Sequence, residues 1–157
     1  MADATRRLII GISGASGVIY GIRALELLRN TDVETHLVMS KSAEMTMGYE
    51  VDMKPSAVRE LADVAHAVGD VGASISSGSC KTTGMLVLPC SIRTMSEIST
   101  GVTSSLLSRA ADVVLKERRR LVLAVRETPL HTGHLRTMTE LSEMGAVVAP
   151  IVPATSR

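Results

Sequence analysis

The sequence predicts an α/β fold in which a parallel sheet is covered by helices on both faces. Short apolar runs bounded by turn residues predict strands over residues 8–12, 35–39, 84–88, 121–125 and 146–151. Segments with apolar residues three and four positions apart lie between these runs and predict amphipathic helices. Strands that alternate with helices pair in parallel, because each helix returns the chain to the same edge of the sheet.

The composition limits the number of domains and the classes of partner. A chain of 157 residues suffices for one domain, which we expect to span residues 1–157. A net charge of +1 and 1% aromatic residues predict no nucleic-acid partner. No apolar run approaches the roughly 20 residues of a membrane span, and the two cysteines lack the spacing of a metal site. We therefore expect a cytoplasmic protein with no membrane partner and no metal.

The first strand leads into a glycine-rich turn, GISGASGVIYG at residues 11–21, and then into an amphipathic helix. Its glycines are spaced G-x-x-G-x-x-G and not G-x-G-x-x-G, the dinucleotide fingerprint. The next strand ends in Ser40, where a dinucleotide enzyme would carry an acidic residue for a ribose hydroxyl. The turn therefore favours a mononucleotide phosphate over NAD, with a purely structural tight turn as the alternative.

Three further segments complete the predicted elements. Helices are expected over residues 56–63 and 104–116, and a last helix ends at Gly145. Residues 104–116 are apolar on more than one face, which predicts that another subunit covers this helix in addition to the sheet. The Gly/Ser-rich residues 69–83 form either a mobile connection or a functional loop.

Polar side chains follow several strands at the point where each strand ends. Because the carboxyl ends of parallel strands meet at one edge of the sheet, these side chains predict a ligand site there. The residues concerned are Ser16, Ser40, Ser91, Thr94, Arg126 and Glu127. The last two could equally form ion pairs that only stabilise the fold.

A set of motifs resembles the UbiX-type flavin prenyltransferases, most closely the bacterial ones. They are GISGASGVIYG, ETHLVMSK, SISSGS, LPCSIRT, RAADVVLKERR and RETPLHTGHL, in this order over residues 7–154. The resemblance implies a Rossmann-like flavoprotein that binds FMN and moves a dimethylallyl group from dimethylallyl phosphate to N5 and C6 of reduced FMN. It also implies a homo-oligomer with sites at subunit interfaces, and a UbiD-type decarboxylase as recipient of the prenylated FMN.

The resemblance also assigns roles to individual residues. It implies FMN contacts from Gly14, Ala15, Ser16, Ser40, Ser91, Ile92, Arg93, Thr94 and Arg126. Cations for the donor phosphate are Arg109 and Lys116, contributed partly across a subunit interface. Such cations stabilise the charge that develops on a departing phosphate. The implied catalytic residues are Ser16, near the reacting flavin edge, and Glu50 and Glu127, grouped around the prenyl phosphate and a proton relay.

Some features favour or disfavour other functions. Arg93 occupies the position of an Asn in flavin-dependent cysteine decarboxylases of the same fold, which disfavours that class. Ser156 stands where the family has a Tyr before a final helix, which predicts retained FMN binding with weak transfer, or a non-catalytic FMN-binding or assembly subunit. His131 and His134 are expected to be surface or capping residues. Cys90 has no base near it in sequence and is not expected to be a nucleophile.

Overall fold

A computed structural model describes residues 5–152, which form one six-stranded sheet with all strands parallel. The strands are β1 (Arg7–Ile12), β2 (Glu34–Met39), β3 (Val64–His66), β4 (Gly84–Cys90), β5 (Arg120–Val125) and β6 (Val147–Val148). Their order in the sheet is β3-β2-β1-β4-β5-β6. The order reverses between β1 and β4, so the crevice at the carboxyl ends of these strands is where such sheets bind ligands.

Helices cover both faces of the sheet, as predicted. They are α1 (Val18–Leu28), α2 (Lys41–Glu50), α3 (Pro55–Arg59), α4 (Ile92–Thr100), α5 (Leu106–Lys116) and α6 (Thr132–Glu143). Successive side chains of a strand point to opposite faces, so Ile9 joins the core cluster under α4 and α5 while Ile10 joins the cluster under α1 and α2. Within residues 5–152, no helix combines the length and the apolar character needed to cross a membrane.

Several elements differ from the sequence prediction. Strand β3 was not predicted, because it is a three-residue edge strand whose Val64 and Ala65 are exposed. Helices α2 and α4 were not predicted either, because their first turns follow directly on strand ends that carry Ser40 and Ser91. The predicted helix over residues 56–63 is the shorter α3, and the predicted strand over residues 146–151 is the two-residue β6.

The apolar faces of α5 are covered within the chain itself. Eight residues of α5 are buried, and they pack into the same cluster as the sheet and as Ala73 and Ile75 of the Gly/Ser-rich loop. The apolar residues of α5 therefore do not need a second subunit to bury them, and the expected subunit contact at this helix stays a prediction. The sequence could not show that a polar loop supplies the missing cover.

Two arginines of α5 and its C-terminal turn order that loop. Arg109 Nε donates to the Ser76 carbonyl at 3.2 Å. Arg119 donates to the carbonyls of Gly78 at 2.8 Å and Cys80 at 2.9 Å. The loop includes a short 3-10 helix, Ser74–Ser76. Of the two interpretations left open for this segment, a mobile connection is the one that the structure disfavours.

A chain of polar side chains joins β2 to the edge strand β3. His36 Nε2 lies 2.7 Å from Glu34 Oε1, and His36 Nδ1 lies 2.9 Å from His66 Nε2. The bond to His36, with help from Arg7, lowers the pKa of Glu34 below its ordinary value. Burial, and then the charge of His36, lower the pKa of His66. The fold therefore favours an ionised Glu34 and a neutral His66.

Candidate functional site

A cavity of about 670 Å³ opens at the carboxyl ends of β1, β2 and β4. This volume is typical of sites for small molecules and cofactors. Its walls consist of Gly14, Ser40, Lys41, Ser42, Met45, Val68, Gly69, Ser91, Arg93, Thr94, Glu97, Ser104, Ser105 and Leu107. The structure thus brings together five of the predicted FMN contacts, from three separate strand ends.

Serine side chains in the cavity wall cap the helices that begin there. Ser40 Oγ accepts a hydrogen bond from the Ala43 amide at 3.0 Å, and Ser91 Oγ accepts one from the Thr94 amide at 3.1 Å. Ser105 caps α5 in the same way. Helix N-termini carry partial positive charge and free N–H groups, which suit an anionic ligand. The donor set of this cavity therefore fits the phosphate and the polar edge of FMN.

The loop after β1 passes very close to the first turn of α2. A Cβ atom at Gly14 would lie 2.6 Å from Ser42 Cβ, closer than such atoms approach one another. Ala15 is buried, and Ile92 packs against the core. Neither of these two lines the cavity, so their contact with FMN stays a prediction.

Ser13 is a buried residue that the sequence analysis missed. Its hydroxyl donates to the Pro89 carbonyl at 2.8 Å and accepts from the Ser91 amide at 2.7 Å. It thereby joins the end of β1 to the N-cap of α4. A signal was present, because Ser13 is a polar residue at the end of an apolar strand, but its partners come from a segment far along the chain.

Arg126 lies next to the end of β4, where its amide donates to the Cys90 carbonyl at 3.0 Å. Its Nε is buried and has no hydrogen-bond partner among residues 5–152. Buried donors are nearly always satisfied, so an unpartnered N–H here is unusual. Arg126 does not line the cavity, and its contact with FMN stays a prediction. Among residues 5–152, neither Arg126 nor the exposed Glu127 forms an ion pair. This removes the alternative that the two residues form ion pairs that only stabilise the fold.

Glu50, the last residue of α2, contacts the glycine-rich turn that follows β1. Its Oε1 accepts from the amides of Gly17 at 3.0 Å and Val18 at 3.2 Å, at the N-terminus of α1. Gly17 has a φ of 103°, which favours glycine. Ser16 is exposed on this loop. Two of the three predicted catalytic residues, Ser16 and Glu50, therefore lie at the same loop, where the Glu50 carboxylate caps α1.

The predicted phosphate cations lie away from the cavity of their own chain. Helix α5 follows its N-cap Ser105 in the cavity wall and runs towards the amino ends of the strands. There Lys116 Nζ lies 2.5 Å from Glu117 Oε2. This contact lowers the pKa of Glu117. Arg109 Nη1 lies 3.3 Å from Asp112 Oδ2. One chain therefore does not bring Arg109 and Lys116 to the site.

The remaining candidates have structural roles or lie outside the described residues. Burial raises the pKa of the Cys90 thiol to about 12, which agrees with the expectation that it is no nucleophile. His131 and His134 each accept the other's amide N–H at 3.3 Å and cap α6, which confirms the capping interpretation. Ser156, which stands where the family has a Tyr, lies outside the described residues 5–152.

The chain is similar to known proteins over nearly its whole length. The model of the family described as Flavoprotein matches residues 2–156. The flavin prenyltransferase UbiX of Escherichia coli strain K12 is 62% identical over 150 residues, which are 95% of this chain and 79% of that protein. The crystal structure of AnUbiX (PadA1), in complex with FMN and dimethylallyl pyrophosphate, superposes with a TM-score of 0.94 at 53% identity. That match covers 96% of this chain and 80% of the other.

A second solved structure bears on assembly. The dodecameric FMN-dependent UbiX-like decarboxylase of Escherichia coli O157:H7 has a TM-score of 0.92 at 49% identity. The match covers 94% of this chain and 80% of that protein. Identities of this size over nearly the whole chain, together with the same parallel sheet and a cavity at its switch point, place the chain in a family. It belongs to the flavoprotein family and, within it, to the UbiX-type flavin prenyltransferases.

Proposed function

We propose that this chain binds FMN in the 670 Å³ cavity and transfers a dimethylallyl group to it from a phosphate ester. One observation carries the assignment of the site: serine hydroxyls and helix N-terminal amides from three strand ends converge on one cavity. When bound, reduced FMN supplies the nucleophilic N5 and C6 positions to which the group is attached. FMN and dimethylallyl pyrophosphate are also the two ligands of the AnUbiX structure.

The chain holds FMN with groups that are already in place. The oxygens of Ser40 and Ser91 accept helix amides, so these two side chains are ordered before the ligand arrives. Lys41 and Arg93 add positive charge to the cavity wall, and Arg93 lies 3.9 Å from Glu97. Arg126 contributes its free Nε–H. We assign FMN contacts to these residues and to the loop from Gly14 to Ser16.

We also propose that the active assembly is a homo-oligomer in which another copy completes each site. Neither Arg109 nor Lys116 lines the cavity of its own chain, and α5 carries Lys116 away from it. Presented by a neighbouring copy, their charges would stabilise the phosphate as the allylic C–O bond breaks. The dodecameric relative provides a precedent for assembly into a homo-oligomer.

Carboxylates on the same edge of the sheet are placed to move protons. Glu127 follows β5, is exposed, and has no ion-pair partner among the described residues. It is available to take a proton as the new bonds form, or to hand one to the departing phosphate. Ser16 lies on the loop after β1, and Glu50 contacts that loop from the end of α2. We infer that the prenylated product is consumed by a UbiD-type decarboxylase.

The test is prenylation followed by the mass of the flavin. Apo protein is loaded with FMN, reduced, and mixed with dimethylallyl monophosphate or diphosphate, and the extracted flavin should gain one dimethylallyl group. A folded protein that takes up no FMN would refute the site. A protein that binds FMN but leaves its mass unchanged with both donors would identify the non-catalytic FMN-binding subunit instead.

Mixing two inactive variants tests the shared site. Arg126→Ala should lose FMN, and Lys116→Ala should lose donor activation. If Lys116 serves another copy, a refolded mixture of the two variants recovers part of the activity, whereas either variant alone stays inactive. Arg23→Ala provides the control, because Arg23 is an exposed cation on α1 that pairs only with Glu26 within residues 5–152. Absence of recovery in an assembled mixture would place both functions in one copy.

A further inference from the structure

We infer that Ser13 is a positioning residue for flavin binding, an inference that rests on the proposed FMN site. Ser13 is fully buried and does not line the cavity. Its hydroxyl oxygen lies 2.7 Å from the Ser91 amide nitrogen and 2.8 Å from the Pro89 carbonyl oxygen. The Ser13 hydroxyl thus donates to Pro89 near the end of β4 and accepts from Ser91, the residue that caps α4.

The bond to the Ser91 amide determines where two flavin contacts lie. Ser91 Oγ accepts from the Thr94 amide at 3.1 Å and lies 3.1 Å from Thr94 Oγ1, so the two side chains move with the Ser91 backbone. Because the Ser91 amide precedes the helix, α4 itself offers no acceptor for it. Ser13 is the acceptor that the structure provides.

Removing the Ser13 hydroxyl would release the backbone at Ser91, before α4, without separating β4 from β1 and β5. The Ser13 amide would still donate to the Pro89 carbonyl at 3.2 Å, and the Arg126 amide to the Cys90 carbonyl at 3.0 Å. The Ser91 amide, in contrast, would lose its partner and turn towards water in the apo protein. Binding FMN would then have to restore the ordered segment, and the affinity falls by the cost of that ordering. We expect FMN to bind about tenfold more weakly to Ser13→Ala, the scale of one unsatisfied buried donor.

Thr35 provides a matched control at the opposite edge of the sheet. It is 2% exposed, and its hydroxyl also donates once and accepts once, to and from Asp63 at 3.3 and 3.0 Å. Thr35→Val should lower the apo melting temperature as Ser13→Ala does, yet keep the FMN dissociation constant within about twofold of the wild-type value. Ser13→Cys keeps the shape with a weaker donor and acceptor, and should bind FMN with intermediate affinity.

A double-mutant cycle tests whether Ser13 acts through Ser91. FMN dissociation constants are measured for Ser13→Ala alone and combined with Ser91→Ala or Ser40→Ala. We expect the effect of Ser13→Ala to shrink in the Ser91→Ala background and to add fully to Ser40→Ala. The visible absorption spectrum of bound FMN should also shift in Ser13→Ala but not in Thr35→Val.

The outcomes separate this inference from the proposed function. Wild-type protein that fails to bind FMN overturns both. Wild-type binding with unchanged affinity in Ser13→Ala, or a loss that Thr35→Val reproduces, overturns only the positioning role. Full additivity of Ser13→Ala with Ser91→Ala also overturns the positioning role. If Ser13→Ala does not fold, the FMN dissociation constant of Ser13→Cys is compared with that of the wild type instead.

Discussion

Glu50 offers a quantitative test of what stabilises the glycine-rich turn after β1. Its carboxylate accepts two amides at the N-terminus of α1, from Gly17 at 3.0 Å and Val18 at 3.2 Å. A side-chain cap contributes roughly 0.5–2 kcal/mol, and an anion at a helix N-terminus about 0.3–1 kcal/mol. Because Glu50 is exposed, we place Glu50→Ala at about 1–2 kcal/mol of lost unfolding free energy. Glu50→Gln keeps an acceptor and loses only the charge, at about 0.5 kcal/mol.

Urea unfolding of the apo protein at fixed concentration measures these differences, and prenyl transfer is measured on the same samples. Glu60→Ala serves as the control, because Glu60 is exposed and has no ion-pair partner within residues 5–152. If Glu50 also takes part in proton transfer, Glu50→Gln loses activity while keeping most of its stability. An apo stability of Glu50→Ala equal to that of Glu60→Ala would refute the capping role, and full activity of Glu50→Gln would refute the catalytic one.

Three further predictions concern the cavity and the edge strand. Arg126→Ala should weaken FMN retention, measured by equilibrium dialysis, and leave the apo melting temperature about unchanged, since Nε has no protein partner among the described residues; an equal loss of apo stability would contradict this. Gly14→Ala should lower the unfolding free energy and the FMN affinity, because its Cβ would lie 2.6 Å from Ser42 Cβ. Gly48→Ala in α2, where the added Cβ meets nothing within 4 Å, should instead raise the unfolding free energy by up to about 1 kcal/mol. Equal effects of the two variants in thermal melts would refute the Gly14–Ser42 contact. Because burial lowers the pKa of His66 below 6.5, the unfolded state binds more protons, so stability should fall on acidification from about pH 7 to pH 5. His66→Asn should flatten this dependence in urea unfolding at each pH, and an unchanged slope would exclude His66.

The apolar runs predicted the centre of the sheet well and its edges poorly. Strands β1, β2, β4 and β5 are buried between helices, so their sequences are nearly continuous apolar segments. Strand β3 pairs with one strand, β2, and two of its three residues are exposed. An edge strand of this kind leaves little hydrophobic signal, and its pairing depends on contacts such as the His36–His66 bond.

The site was predictable where it depended on strand ends and unpredictable where it depended on direction or on distant contacts. Ser40, Ser91 and Thr94 meet because parallel strands end at one edge. The position of Lys116 depends on the direction in which α5 crosses the sheet, and the role of Ser13 depends on a segment 78 positions away in sequence. Neither relation is contained in a local pattern.

The contacts of Arg109 allow one side chain to serve two places at once. A guanidinium carries five N–H groups in a fixed plane, and the structure uses Nε for the Ser76 carbonyl and one Nη1 hydrogen for Asp112. The other three N–H groups, two of them on Nη2, have no hydrogen-bond partner among residues 5–152. If Arg109 serves the site of a neighbouring copy, we expect it to bind a phosphate there without releasing the Gly/Ser-rich loop. A lysine carries a single nitrogen at the end of a flexible chain. We expect that a lysine here would not hold the loop carbonyl and bind the phosphate at the same time. At this position the geometry of the cation, and not its charge alone, links loop order to the capture of an anion.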